Sequence, residues 1–117
     1  MTVMNTVKKG RYRWIIFKDG GSWIGVALEF NIVVTGGDPR VVEIELQEAV
    51  LGYLESAKKL KSFRTNQVTS LLNQKAGNEY EEKWARARQI FAAPKKGSVV
   101  SPLSGIYKAG VSSLAVV

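Results

Sequence analysis

The chain of 117 residues contains no cysteine and no histidine. Their absence excludes disulfide frameworks, thiol nucleophiles, zinc sites of the usual Cys and His types, and any Ser-His or Cys-His catalytic pair. Proline is scarce, with three residues, so the chain has few fixed breaks. No run approaches the ~18 consecutive apolar residues that a membrane span requires, and Met1 to Gly10 lacks an apolar core long enough for a secretory signal. These features predict a cytoplasmic protein with no membrane association. Carboxylate, lysine or tyrosine chemistry, binding, and regulation remain open.

What is present is one domain's worth of core-forming material, with 45% hydrophobic residues, and an excess of positive charge. Seventeen Lys and Arg against ten Asp and Glu leave a net charge of +7. Residues 1–61 hold nine basic and seven acidic side chains, net +2, whereas residues 62–117 hold eight and three, net +5. A polyanion, if one is bound, would meet the second half.

Arg11 to Lys18 is β-branched and aromatic, with Tyr12, Trp14 and Ile16 on one face and Arg13, Ile15 and Phe17 on the other, and reads as a strand. Asp19-Gly20-Gly21 then supplies a turn that tolerates positive φ. Ser22 to Leu28 returns as the second strand of a β-hairpin. After a turn at Glu29 to Asn31, Asn31 to Thr35 reads as a third strand, completing an antiparallel meander. Gly36-Gly37-Asp38-Pro39 ends that strand and starts a helix, Asp38 capping free amides and Pro39 presetting the first helical φ.

The helix should run from Pro39 to about Lys61. Val42, Leu46, Ala49, Val50, Tyr53, Ala57 and Leu60 make an apolar stripe whose partner is the sheet. Thr65 to Gln74 has helical spacing at Val68, Leu71 and Leu72. Gly77 is a stop, and Asn78 caps a further helix from Glu79 to about Ala92. This last helix has an apolar stripe of Tyr80, Trp84, Ala87 and Phe91, and spacing suited to Glu79–Lys83 and Glu82–Arg86 ion pairs. Pro94 ends it; Lys95 to Ser104 reads as a linker, and Gly105 to Val117 as a short tail strand. The expected class is therefore α+β: a three-stranded antiparallel meander, open to a fourth strand from the tail, packed on one long helix over residues 1–61, with a helical extension and tail over residues 62–117.

The order of Asp19-Gly20-Gly21, Ser22 to Ala27, Leu28-Glu29-Phe30, Val33 to Asp38, and Glu48-Ala49-Val50 followed by Tyr53-Leu54-Glu55 resembles the HicB-like antitoxin family across about residues 12–60. Asn31-Ile32 replaces the Pro-Gly turn common in that family. Residues 62–117 match neither of the operator-binding modules, helix-turn-helix or ribbon-helix-helix, found in many members. The resemblance implies a partial ribonuclease-H-like fold and a non-enzymatic antidote, acting as a homo-oligomer and covering a small HicA-like toxin that degrades messenger RNA. Inhibition of that kind needs no cofactor or metal; it needs buried aromatic area at an interface. Trp14 and Trp23 on the hairpin are the candidate partner anchors, with burial under the helix as their alternative role.

Two other readings follow from the residues. A nucleic-acid-binding regulator would use Lys83, Arg86, Arg88, Lys95 and Lys96 to contact phosphates. Against a DNA-reading helix, its N-terminal end carries Glu79, Glu81 and Glu82, which would face a polyanion. A metal-dependent nuclease remnant would need Asp19, Glu29 and Asp38 to converge on ions. Successive turns of a meander alternate ends, which places Asp19 and Asp38 at one end and Glu29 at the other. The glycine pairs 20–21 and 36–37 lack phosphate-loop spacing, and Tyr53 belongs to the helix stripe.

Overall fold

A computed structural model describes residues 5, 10–60, 70–90 and 105–114 of the chain. Strand β1, Arg11–Asp19, pairs antiparallel with β2, Ser22–Ala27, which pairs antiparallel with β3, Ile32–Gly36. A single 3-10 turn at Leu28–Phe30 links β2 to β3, and Asn31 closes it in the left-handed region at φ 51°. Asparagine is among the few side chains that adopt this conformation readily, which is why no Pro-Gly is needed there. Helix α1, Pro39–Leu60, follows.

The sheet has four strands rather than the three of the expected meander. Strand β4, Ile106–Ser113, lies antiparallel against the free edge of β1, giving the order β3-β2-β1-β4. The register shifts between Ile16 and Phe17, where Tyr107 is the extra residue of a bulge. Elements from both sides of residue 61 thus share one set of ladder hydrogen bonds.

Burial explains the layering. Ile15, Ile16 and Phe17 are consecutive in β1 and all buried, as are Val26, Ala27 and Leu28 at the end of β2. Successive side chains of a strand point to opposite faces, so both faces of the sheet need a cover. On one face α1 presents Leu46, Val50, Leu54 and Ala57 to a cluster with Ala27, Phe30, Leu72 and Leu114. On the other, helix α2, Asn78–Ile90, brings Ala87, Tyr80 and Trp84 against Ile15, Phe17, Val26, Leu28, Ile106 and Ala109. The helix expected as an extension beyond the sheet is its second cover. Each fully buried Ile, Leu or Phe contributes about 1.5–3 kcal/mol relative to exposure.

Several local expectations are corrected. The helix stripe includes Leu54, 7% exposed, whereas Ala49 and Tyr53 are only half-buried. Gly77, not Asn78, receives the first free amides of α2, its carbonyl accepting from Tyr80 N at 3.0 Å and Glu81 N at 3.1 Å. The Glu79–Lys83 and Glu82–Arg86 pairs do not form: Lys83 lies 5.1 Å from the Phe17 ring centre, and the ionic contact of α2 is made by Glu81. Phe91, Val68, Lys95 and Lys96 lie outside the described residues.

Ahead of α2 in the chain, polar ties fasten residues 71–75 to Asn5 and to the turn between β2 and β3. Asn5, 3% exposed, exchanges hydrogen bonds with Asn73: Asn5 N donates to Asn73 Oδ1 at 2.6 Å and Asn73 Nδ2 to Asn5 O at 2.9 Å. Gln74 N donates to Glu29 O at 2.7 Å. Among the described residues every buried side-chain polar atom has a partner, so these ties avoid the penalty of an unsatisfied group.

Helix α1 approaches the sheet closely at Gly25, where an added Cβ would lie 2.8 Å from Val42 Cγ1 and 3.2 Å from Val34 Cγ2. Gly25→Ala is therefore expected to lower stability by about 1–3 kcal/mol through overpacking. Gly52, in α1 with open space around it, gives the opposite sign: Gly52→Ala should raise stability by about 0.5–1 kcal/mol through helix propensity. Urea midpoints of the two variants check both signs.

Candidate partner-binding surfaces

The two hairpin tryptophans lie on the α1 face of the sheet but are not neighbours. Trp14 pairs with Ala27 and Gly110, and Trp23 with Lys18 and Gly36, so four residues of β1, about 13 Å of strand, separate their rows. Trp14 is half-buried against the α1 cluster. Its indole lies across Gly110, where an added Cβ would come within 2.8 Å of Cζ2, and its Nε1 donates to Ser112 Oγ at 3.0 Å. A narrow cleft between α1 and β1/β4 is lined by Trp14 with Tyr12, Glu43, Gln47 and Ser112, among others, and has room for about one water-sized group. It is too small for a substrate. Trp14 therefore combines a packing role with an edge left open to solvent.

Trp23 has fewer constraints. It meets Tyr107 edge-on with ring centres 6.1 Å apart, and Lys18 Nζ sits 5.8 Å from its ring centre. Both rings are half-exposed at the hairpin end of the sheet, where Tyr107 is the bulged residue of β4. Lys108 of β4 pairs with Glu43 of α1 at 2.9 Å across the same face. Because α1 packs chiefly over β2 and β3, the β1/β4 half of this face remains only partly covered.

The basic residues of α2 do not form one face. At about 100° per residue, Arg86 and Arg88 leave the helix some 200° apart, and exposed Glu79 and Glu82 share its surface. Lys83 is engaged over Phe17. The three carboxylates weighed for metal binding are also apart in role. Asp38 accepts Arg40 N at 2.9 Å and pairs with the Arg40 guanidinium at 3.1 Å, Glu29 is held by Arg13, and Asp19 ends β1 at the hairpin. The Arg40 guanidinium, then the Arg40 amide, hold the Asp38 carboxyl below the usual carboxylate range. Among the described residues no group of three acidic side chains could hold a metal ion, and no helix is long and apolar enough to cross a membrane.

Tyr53 donates its hydroxyl proton to Leu71 O at 2.8 Å and accepts from Gln74 Nε2. Burial raises its pKa above the ordinary tyrosine value, against a smaller opposing effect of Gln74. It therefore keeps its proton and serves as a structural donor.

The most connected polar centre is one that residue patterns did not single out. Arg13 Nε donates to Glu29 Oε2 at 2.7 Å, its backbone N to Glu29 Oε1 at 2.6 Å, and its two terminal nitrogens to the two oxygens of Glu81, each at 2.8 Å. The guanidinium also lies 5.8 Å from the Trp84 ring centre. One side chain thus joins β1, the turn before β3, and α2. Its position in the sequence carried a signal: a cation next to Ile15 and Phe17 on one strand face, inward of the exposed Arg11, needs carboxylate partners if that face is covered.

No family model, curated protein or solved structure matches this chain. The geometry alone therefore defines its surfaces.

The Arg13 pair holds the Glu81 carboxyl below its ordinary pKa, chiefly through the side-chain hydrogen bonds, with burial opposing. A depressed folded-state value means that the stability from this pair is present above the unfolded-state pKa and is lost as pH falls through the folded one. Urea midpoints should thus decline on acidification below about pH 4, and Glu81→Gln should flatten that decline while lowering stability at neutral pH. An unchanged pH profile in Glu81→Gln would show that the pair contributes nothing to acid sensitivity.

Proposed function

We propose that this chain is a non-catalytic protein-binding module of HicB-like antitoxin type, acting in the cytoplasm. It neutralises a small HicA-like, mRNA-degrading toxin by covering the toxin's RNA-binding surface. The observation that carries the reading is the run of three sequential antiparallel strands into one long amphipathic helix, in the order that the sequence resemblance implies, with two half-exposed tryptophans on the partly covered face. The finer assignment, to a partial ribonuclease-H-like fold, rests on the resemblance.

Trp23 is the stronger anchor of the two. A partner can bury its ring together with Tyr107 without disturbing the core, and paired aromatic area of this kind concentrates binding energy. Trp14 supplies an indole edge about 13 Å farther along the same face, already held by Ser112. Occlusion of this kind makes and breaks no covalent bond, so no general acid, base or metal is required of the antitoxin.

An antitoxin of this type should have a small basic toxin encoded in a neighbouring reading frame, and the test is co-expression with that product. Capture of that protein and relief of its RNA cleavage are expected. Trp23→Ala should abolish relief with the fold intact, whereas Trp14→Ala should cost about 3 kcal/mol of stability. A chain that neither captures the neighbour nor restores growth, or that itself cleaves RNA with magnesium or manganese, contradicts the proposal.

A further inference from the structure

Helix α1 carries two apolar stripes, and the sheet occupies one. Val42, Leu46, Val50, Leu54 and Ala57 are buried, but Val41, Ile44 and Leu51 are 48%, 57% and 59% exposed. Ile44 and Leu51 are two turns apart on the same outer face, with Val41 one turn before Ile44, so these large side chains form a row rather than scattered exposures. Among the described residues no element packs over that row. Isolated exposed apolar residues are ordinary; an aligned row on the back of a core helix marks an interaction surface.

We propose that this outer face of α1 is a self-association surface, on which a second copy of the chain lays its own α1 in antiparallel orientation. The choice of occupant comes from the charges in the row. Arg40 stands at its start, Glu48 in its middle and Glu55 toward its end, all exposed. A parallel pair would set Arg40 against Arg40 and Glu55 against Glu55; Glu48, at the crossing, lies near its own kind in either orientation, so Arg40 and Glu55 decide between them. An antiparallel pair crossing midway between Ile44 and Leu51 brings Ile44 of one copy against Leu51 of the other. Arg40 and Glu55 lie equally far from that midpoint, so each Arg40 approaches the other copy's Glu55 on both sides of the crossing.

The helix dipoles also run in opposite directions in this arrangement. The contact is isologous, the same patch on both copies, so it closes as a dimer and does not propagate into a filament. The dimer leaves the sheet face of Trp14 and Trp23 free, since α1 turns its inner side to the sheet and its outer side to the second copy. The resemblance implies a homo-oligomer without assigning its surface; the assignment to α1 rests on the exposed row and its charges and does not depend on the antitoxin reading.

Sedimentation equilibrium on the full chain, over a concentration series, tests the proposal. A reversible dimer is expected for the wild type. Leu51→Lys and Ile44→Lys should each weaken it roughly thirtyfold or more, with circular dichroism unchanged because both side chains are exposed, and with a thermal midpoint that no longer rises with protein concentration. Arg40→Glu should weaken the dimer, and Arg40→Glu combined with Glu55→Arg should recover part of the loss. The chain has no native thiol, so Glu48→Cys places a single thiol near the crossing, and a short bismaleimide should link it into covalent dimers. Glu79→Cys on α2 should not link. A wild type that stays monomeric throughout, or a dimer that survives Leu51→Lys, overturns the proposal. So does a monomeric wild type whose toxin capture is lost in Leu51→Lys, which would assign the row to the toxin instead.

Discussion

The central pair of strands has apolar side chains on both of its faces, and the rest of the architecture answers that constraint. Ile15 and Ile16 point in opposite directions from adjacent positions of β1, and both are fully buried. Val26 and Ala27 do the same in β2. A hairpin covered by a helix on one side only would leave Ile15, Phe17 and Val26 in water, at a cost of about 1.5–3 kcal/mol for each large side chain. The chain meets this by returning α2 to the second face and by laying β4 along β1, which also removes an open edge from the most apolar strand.

The two covers are held differently. Helix α1 docks through a long apolar stripe and through the close approach that Gly25 allows to Val42. Helix α2 is shorter and more polar, and it contributes little more than Tyr80, Trp84 and Ala87 to the contact. Its placement draws on the bidentate Arg13–Glu81 pair, which is directional where apolar contact is not. Because Arg13 also binds Glu29, the turn before β3 and the second cover are coupled through one guanidinium. The Asn5–Asn73 exchange and the Gln74 contacts hold the chain entering α2 in the same way, by satisfying polar groups at the sheet end.

This division of labour leaves the surfaces that a partner can reach. Trp23 and Tyr107 remain half-exposed at the hairpin end because α1 sits over β2 and β3, and the outer row of α1 remains exposed because its inner row is spent on the sheet. The two surfaces face different directions, so a second macromolecule and a second copy of the chain need not compete. Composition excludes thiol and imidazole chemistry, and Glu29 is engaged by Arg13 and Asp38 by Arg40.

The amino-acid sequence by itself determined the elements: the hairpin from the alternation around Asp19-Gly20-Gly21, the third strand, the capped start of α1 at Asp38-Pro39, and the inner stripe of α1. These are local consequences of side-chain period and turn chemistry, and they survive in almost any packing. It also placed the helix of residues 78–90 and a strand in the tail. Only the tertiary structure decided that β4 pairs with β1, that α2 covers the second face, and that Arg13 finds Glu29 and Glu81, 16 and 68 residues away. The apolar triplets Ile15-Ile16-Phe17 and Val26-Ala27-Leu28 did imply a second cover, but periodicity cannot say which segment supplies it. Pairings over such separations depend on which surfaces meet when the chain collapses, and no pattern confined to a dozen residues encodes that meeting.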